Sequence, residues 1–325
     1  MAIGGAEITT KILAETLFEL SPVMEDNVSK MIPLFWFLRA KDQMKEVTGA
    51  RDFRERLMYG KGSWDYYEKW GTLDMTPQEG FTHAIYTQVR GAAPIVLEDW
   101  EVLQNAGVHQ LGDIVRDTQV QAEITMGEGL GVDLFNDGSD SARIHGLRFL
   151  IADDPTTGTV GDIDRSDALN IWWRNQVKTT ALTSFKATWL DGWHHLEETY
   201  LDASKRSNDS PNFCVTTPLI YRFYTAGPTD RTRVGTNELL AKVGFANAAF
   251  HGAAVVYDEN CPADHFYFLN TRYLRIKVLK GGNFRMYPPA SPANQPWLAV
   301  SAIVLIAQLT MSNAAKQGVS TNITG

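Results

Sequence analysis

Arg51 to Tyr59 reads RDFRERLMY and Phe81 to Val89 reads FTHAIYTQV. In the first run Phe53, Leu57 and Tyr59 alternate with Asp52, Arg54, Arg56 and Met58, the period of two that marks a strand. In the second, Phe81, Ile85 and Val89 form one face and Tyr86, Gln88 and Arg90 the other. A polar, glycine-containing and aromatic link, Gly60 to Gly80, joins them and includes Pro77. The pattern predicts a long antiparallel hairpin over 51–97 with an irregular tip, each arm reaching roughly 30 Å. Both faces carry Arg, Gln, Tyr and Glu, so neither reads as a core layer. An isolated two-stranded hairpin is at best marginally stable in water. It must lie against something, and nothing nearby in sequence supplies that partner.

Upstream, Ile8, Ile12, Leu13, Leu17 and Leu20 fall at helical spacing, and an aromatic-rich run, Met31–Leu38, is broken by Pro33. Residues 1–50 read either as an arm lying on another surface or as short helices capping their own domain. Downstream, Trp100, Leu103, Gly107, Leu111, Ile114, Thr118, Ala122 and Thr125 step by three and four, with Val115 widening the stripe. This predicts one helix from Glu98 to about Met126, about 40 Å long. Glu98 and Asp99 complement its positive end, and Gly127, Gly129 and Gly131 end it.

Residues 146–285 read as a compact α/β unit. It has an aromatic helix over 185–201, a strand at Cys214–Thr217 and a helix at Pro218–Tyr224, then strands at Ala253–Tyr257, His265–Leu269 and Tyr273–Leu279. Pro288, Pro289, Pro292 and Pro296 mark a boundary. Beyond them Trp297–Thr310 is a continuous apolar run suited to a central strand.

The composition of this 325-residue chain, 44% hydrophobic and 21% charged, is that of an ordinary globular protein. A net charge of -8 and a pI near 5.4 argue against a protein whose main task is gripping phosphates. With only Cys214 and Cys261, neither a disulfide framework nor a four-cysteine zinc site can be built, which points to reducing cytoplasm. The start does not read as a signal peptide. The longest apolar stretch, Trp297 to Leu309, is shorter than the roughly 20 residues a membrane span needs.

Chemical motifs are weak throughout. His194 and Glu198, four apart on the aromatic helix beside His195, have a spacing that zinc sites use, but no third ligand is indicated. Asp153, Asp154, Asp162, Asp164 and Asp167 invite a calcium reading. An EF-hand loop starting at Asp162 would, however, have Asp167 where glycine is needed and Trp173 at the closing position. A polar loop of Asx turns accounts for these residues better. Gly127, Gly129 and Gly131 follow a helix instead of preceding one, and Gly60-Lys61-Gly62-Ser63 lacks P-loop spacing. Asn27, Asn208 and Asn322 stand in N-x-Ser/Thr triplets without a secretory signal. No catalytic, cofactor-binding or metal residue is assigned, and the expected cofactor is none.

Several passages together resemble the major capsid proteins of tailed bacteriophages with the Hong Kong 97-type shell fold. The most specific runs from Phe250-His251-Gly252 through Ala253–Tyr257 to the turn Asp258-Glu259-Asn260-Cys261-Pro262, then Phe266-Tyr267-Phe268-Leu269-Asn270 and Tyr273-Leu274. A second runs from Ile151-Ala152-Asp153-Asp154-Pro155 through Gly158-Thr159-Val160-Gly161 and Ile163-Asp164-Arg165 to Trp172-Trp173-Arg174-Asn175. Phe53–Leu57 with Thr76-Pro77-Gln78 is a third, and Gln308–Asn313 with Gln317-Gly318-Val319 a fourth.

The resemblance implies an α+β fold with an N-terminal arm (1–50) and an extended E-loop hairpin (51–97). A P-domain with a long spine helix (98–145), an inserted α/β A-domain (146–285) and a return strand to the P-domain (286–325) would follow. It implies a non-enzymatic structural protein whose partner is itself, forming pentamers and hexamers of an icosahedral virion shell made in host cytoplasm. That shell would enclose double-stranded DNA without sequence-specific binding and without a membrane. A separate scaffolding protein, a portal and a decoration protein are the other partners it suggests. The hairpin's missing partner would be a neighbouring subunit. Some members crosslink a hairpin Lys to a late Asn; Lys61, Lys69, Asn283 and Asn313 are present, but no motif assigns them, so that chemistry is not carried over. An encapsulin-like nanocompartment shell is the nearest alternative. A metal-dependent enzyme using His194, His195, Glu198 and the 153–167 carboxylates is a remote one.

Overall fold

The structure, a computed structural model, describes residues 32–72, 76–104, 114–205, 209–227 and 248–324. The described residues divide into two compact units, one formed by those within 92–129 and 284–304, the other by those within 32–91, 130–283 and 305–324. Residues 1–31, and with them the amphipathic segment Ile8–Leu20, lie outside the described residues.

The larger unit is built on a six-stranded sheet in the order β7-β15-β11-β8-β10-β9. These strands are β7 (Gln176–Lys178), β8 (Phe213–Thr216), β9 (Ala248–Phe250), β10 (Ala253–Tyr257), β11 (Phe266–Leu269) and β15 (Gly318–Ser320). β8 and β11 are buried at every position. That is why Phe213–Thr216 and Phe266–Leu269 read as unbroken apolar or small-residue runs instead of alternating ones. α5 (Trp189–Ser204) turns Trp193, Leu196 and Tyr200 inward at steps of three and four. They join Phe250, Phe268 and residues of α6 (Pro218–Thr225) in the main core.

Two short elements precede the hairpin. α1 (Pro33–Ala40) buries Leu34, Phe37 and Leu38, and Phe37 stacks on Phe213 with ring centroids 4.2 Å apart. Pro33 was expected to break this run; it opens the helix instead, because at the first turn its missing N–H costs nothing. β1 (Met44–Val47) then pairs in parallel with β12 (Leu274–Leu279). Residues 33–47 are therefore integrated into the larger unit, and the reading of 1–50 as an arm does not hold for them. β12 also pairs antiparallel with β14 (Leu298–Met311), from Leu274↔Met311 to Val278↔Ala307.

In the smaller unit β4 (Val89–Glu98) pairs with β14, as does β13 (Arg285–Met286) through Val304 and Ile303. Ala93, Ile95, Ala122 and Ile303 form a small core there. β4 was not foreseen as a strand of its own, and it carries Glu98, expected in the first turn of a helix. α2 (Asp99–Gln104) starts after it, with Trp100 and Leu103 exposed. Residues 105–113 lie outside the described residues.

α3 (Ile114–Asp133) continues through Gly127, Gly129 and Gly131. Those glycines do not end the helix, since none adopts the left-handed conformation that a terminating glycine uses. Gly131 lies against Ile32: a Cβ there would stand 2.9 Å from the Ile32 Cγ1 and Cδ1, so that side chain would have to shift to admit one.

The C-terminus of α5 has no glycine cap. Lys316 Nζ donates instead to the carbonyls of Ser204 at 3.2 Å, Lys205 at 2.7 Å and Asp209 at 3.1 Å. Replacing this buried lysine strands three acceptors. Lys316→Ala is expected to lower stability by about 3 kcal/mol in urea denaturation, with Lys316→Arg recovering part of the loss.

Candidate assembly surface

The hairpin is β2 (Asp52–Met58) and β3 (Phe81–Thr87), paired in register from Asp52↔Thr87 to Met58↔Phe81. β2 buries Phe53, Glu55 and Leu57, and β3 buries Ala84 and Tyr86. The base thus has a partner within its own chain, contrary to the expectation that only another subunit could supply one. On β3 Tyr86 points in, while Phe81 is exposed.

The chemistry of that buried face explains its placement. Glu55 accepts from Lys277 Nζ at 2.9 Å and Thr310 Oγ1 at 2.9 Å, and pairs with Arg275 Nη1 at 3.3 Å. Lys277 Nζ also donates to the Arg54 carbonyl at 2.7 Å. Tyr86 donates its hydroxyl to the Met311 carbonyl at 2.9 Å, and burial pushes its phenol well above the ordinary range. A tyrosine with an in-facing hydrogen bond competes successfully with Phe81 and Ile85 for the interior. Gln308 adds a bond from Nε2 to the Thr87 carbonyl at 3.0 Å.

A second clasp holds the other edge. Ile85 N–H donates to the Gly161 carbonyl at 2.9 Å. Gly161 has φ +63, and a Cβ on it would stand 2.8 Å from the Ala84 Cβ, so both its conformation and the close approach call for glycine. The loop bearing it is organised by Arg165, which is fully buried. Its Nε donates to Trp173 O at 3.2 Å and its Nη2 to Leu150 O at 2.7 Å. Burial lowers this guanidinium to about 10, which still leaves it charged at neutral pH.

Past the base the character changes. Tyr59 stacks on Trp172 with centroids 5.7 Å apart. Beyond it Trp64, Tyr66, Tyr67 and Trp70 are 79%, 82%, 68% and 92% exposed. Each is a side chain whose burial is worth about 1.5–3 kcal/mol. Lys61 and Lys69 stand on the same tip, which also carries Gly60–Ser63.

The residues considered as metal ligands are drawn to separate partners. His194 Nδ1 lies 3.5 Å from Glu197, Glu197 meets His251 Nε2 at 3.1 Å, and Glu198 pairs with Lys178. His195 is buried, and burial followed by the charge of Lys178 lowers its pKa. Asp154, Asp164 and Asp167 each accept a backbone N–H two residues on, the Asx turns expected. Among the described residues no group of three or more His, Cys, Asp or Glu could hold a metal ion, and no helix is long and apolar enough to cross a membrane. Both cysteines are buried and burial raises their pKa values. Asn27 and Asn208 lie outside the described residues. Asn322 donates to Thr179 O at 2.8 Å.

Sequence reading missed Glu55, Tyr86, Gly161 and Arg165. Glu55 left a signal: it is the one carboxylate on the odd-numbered face that also carries Phe53 and Leu57.

No family model matches the chain, and no curated protein is similar to it. Solved structures are. The capsid asymmetric unit of cyanophage A-1(L) superposes with a TM-score of 0.72 at 15% identity, covering 95% of this chain and 97% of that one. The SrpI encapsulin of Synechococcus elongatus PCC 7942 superposes at 0.58 and 12% identity, covering 96% and 95%. The capsid of a native GTA particle superposes at 0.54 and 12% identity, covering 99% and 100%. The fold is thus the mixed α+β fold shared by phage capsid and encapsulin shells, the Hong Kong 97-type fold.

His265 provides a pH probe of the body behind the hairpin. Its Nε2 lies 3.1 Å from both Asp153 oxygens and its Nδ1 meets Ala263 O, while Tyr267 stacks on the ring and Arg148 adds a cation. Burial alone would lower its pKa, but the bonds to Asp153 and Ala263 outweigh this and raise it. A raised folded pKa gives stability that is full below the unfolded value of about 6.5 and lost as pH rises through the folded value. His265→Gln is expected to abolish that alkaline-side decline in pH-dependent urea midpoints. Separately, Glu55→Ala, which leaves Lys277 and Arg275 without their buried anion, is expected to cost about 3–5 kcal/mol.

Proposed function

We propose that this chain is the major capsid protein of a tailed phage, a non-enzymatic subunit that associates with copies of itself into a closed icosahedral shell around double-stranded DNA. The observation that carries this reading is an exposed aromatic tip held out on a hairpin whose base is bonded into its own chain. A monomer gains nothing from exposing Trp64, Tyr66, Tyr67 and Trp70, whereas an adjacent subunit would bury them. Repeated heterologous contacts of this kind close into a shell when the rotation between copies closes. In that assembly the hairpin acts as the E-loop, residues 98–145 and 286–325 form the P-domain, and 146–285 form the A-domain. An acidic chain is compatible with a DNA-filled interior, because a wall that gripped phosphates would impede packing and release.

An encapsulin-like compartment is the second reading, favoured by the similarity to the SrpI encapsulin over nearly the whole of both chains. Expression with the candidate scaffolding and portal genes, followed by negative-stain microscopy, tests both. Particles hundreds of ångströms across that protect DNA from nuclease are expected; particles enclosing protein cargo instead would select the second reading. A chain that stays monomeric or dimeric under every assembly condition would remove both. Trp64→Ala combined with Trp70→Ala is expected to leave thermal unfolding within about 2 °C, as surface changes do, and to cut particle yield at least tenfold.

A further inference from the structure

We infer that copies of this chain meet head to tail through the two outer edges of the hairpin base, the acidic loop beside β3 of one copy seating in the basic groove beside β2 of the next. This rests on the shell reading above and deepens it, by naming which surfaces of two copies touch.

The two edges are opposite by construction. Arg54 and Ile85 face each other in the β2–β3 ladder. The Arg54 carbonyl accepts from Lys277 Nζ at 2.7 Å, and the Ile85 N–H donates to the Gly161 carbonyl at 2.9 Å. Both groups therefore point away from the partner strand, as in a non-hydrogen-bonded antiparallel pair, one toward each outer edge. A contact made at one edge leaves the other free for a further copy, and such heterologous contacts repeat until a ring closes.

The β2 edge carries a groove of 510 Å³ lined by Val47, residues 50–54 and Lys277. Among the described residues β1, which ends at Val47, is the outer strand of its sheet, and β2 pairs with β3 alone. Open strand edges of this kind are templates for another chain. Asp52 lies 3.9 Å from Arg51, whose side chain is 97% exposed, and Glu55 holds Lys277. That leaves the exposed guanidinium of Arg54 with no carboxylate partner among the described residues. The groove therefore offers apolar lining at Val47 and Ala50 beside positive charge.

The β3 edge carries the converse. β5 (Thr159–Val160) and β6 (Ile163–Asp164) are joined by Gly161 and Asp162, both at φ +63, the left-handed pair of a tight hairpin turn. The exposed Asp162 carboxylate makes no hydrogen bond or ion pair to a described residue. Asp164 and Asp167 are also exposed, and Leu169 and Ile171 just beyond them are 82% and 57% exposed. Apolar side chains fringed by carboxylates thus match apolar lining fringed by guanidinium groups. The Gly161 clasp pins this loop to the β3 edge, so it meets the groove of another copy and not its own.

Sedimentation velocity of the full chain under assembly conditions tests this. One variant reverses the groove (Arg51→Glu with Arg54→Glu), the other the loop (Asp162→Lys with Leu169→Lys). Each alone is expected to associate at least about tenfold more weakly than the unaltered chain, because like charges then face each other. Mixed in equal amounts they are expected to regain association, since the loop of the first fits the groove of the second. Lysine adopts the left-handed backbone of position 162 at a cost. Should that variant fail to fold, Asp162→Asn, which keeps the conformation, is expected to weaken association about threefold. A mixture no better than its parts would overturn the contact. So would a groove reversal that matters while loop changes do not, which would assign the groove to another occupant such as residues 1–31. An associating chain indifferent to both reversals removes this contact alone, whereas an unaltered chain that never associates removes the shell reading with it.

Discussion

The carboxylate of Glu55 is the constraint on which the hairpin's placement depends. Enclosing it with Lys277, Arg275 and the Thr310 hydroxyl costs several kcal/mol of lost hydration per ion, and the mutual attraction roughly offsets that. Its value lies in what it forbids. Side chains alternate along a strand, so a one-residue slip of β2 would turn Glu55 out, bring Arg54 or Arg56 against Lys277 and Arg275, and expose Phe53 and Leu57. The buried ion thus adds to the burial of Phe53 and Leu57 in fixing the register.

Direction needs a second fixed point, which the Gly161 loop supplies. Its carbonyl takes the Ile85 N–H, and the loop is held by a guanidinium reaching the carbonyls of Leu150 and Trp173. Trp173 in turn donates its indole N–H to Val160 O at 2.9 Å, so the ends of the loop are tied across it. With one strand keyed by an ion cluster and the other clasped by backbone, the base can neither slide nor roll.

The strands that were legible in the sequence are those whose environment is uniform along the chain. β8, β10, β11, β12 and β14 are buried by neighbours on both sides, so continuous apolar or alternating runs mark them within a residue or so. The seams were not legible. Glu55 is bonded to residues more than 200 positions away, and charge on a strand face reads as exposure when its counter-ions are distant in sequence. Tyr86 shares its face with the polar Gln88 and Arg90, and the carbonyl that receives its hydroxyl, that of Met311, is likewise distant in sequence. Gly127, Gly129 and Gly131 were read as a helix stop because composition cannot report φ. The candidate ligands His194 and Glu198 do share a helix, as their spacing implied, but local salt partners separate them. The exposed tip was half legible: its aromatics were plain, whereas the point at which the hairpin leaves its support was not.

That point of departure gives the hairpin its meaning. Had the whole ribbon been unsupported, a lone copy would carry a marginally stable pair of strands that neighbours must first order before they can bind it, and ordering entropy would weaken each contact. Because the base is already paid into the fold of its own chain, only the tip remains to be ordered on association. The aromatic side chains there have few rotatable bonds for the area they offer. The division of one hairpin into a keyed base and an exposed aromatic end would lower the entropy cost of the docking proposed above.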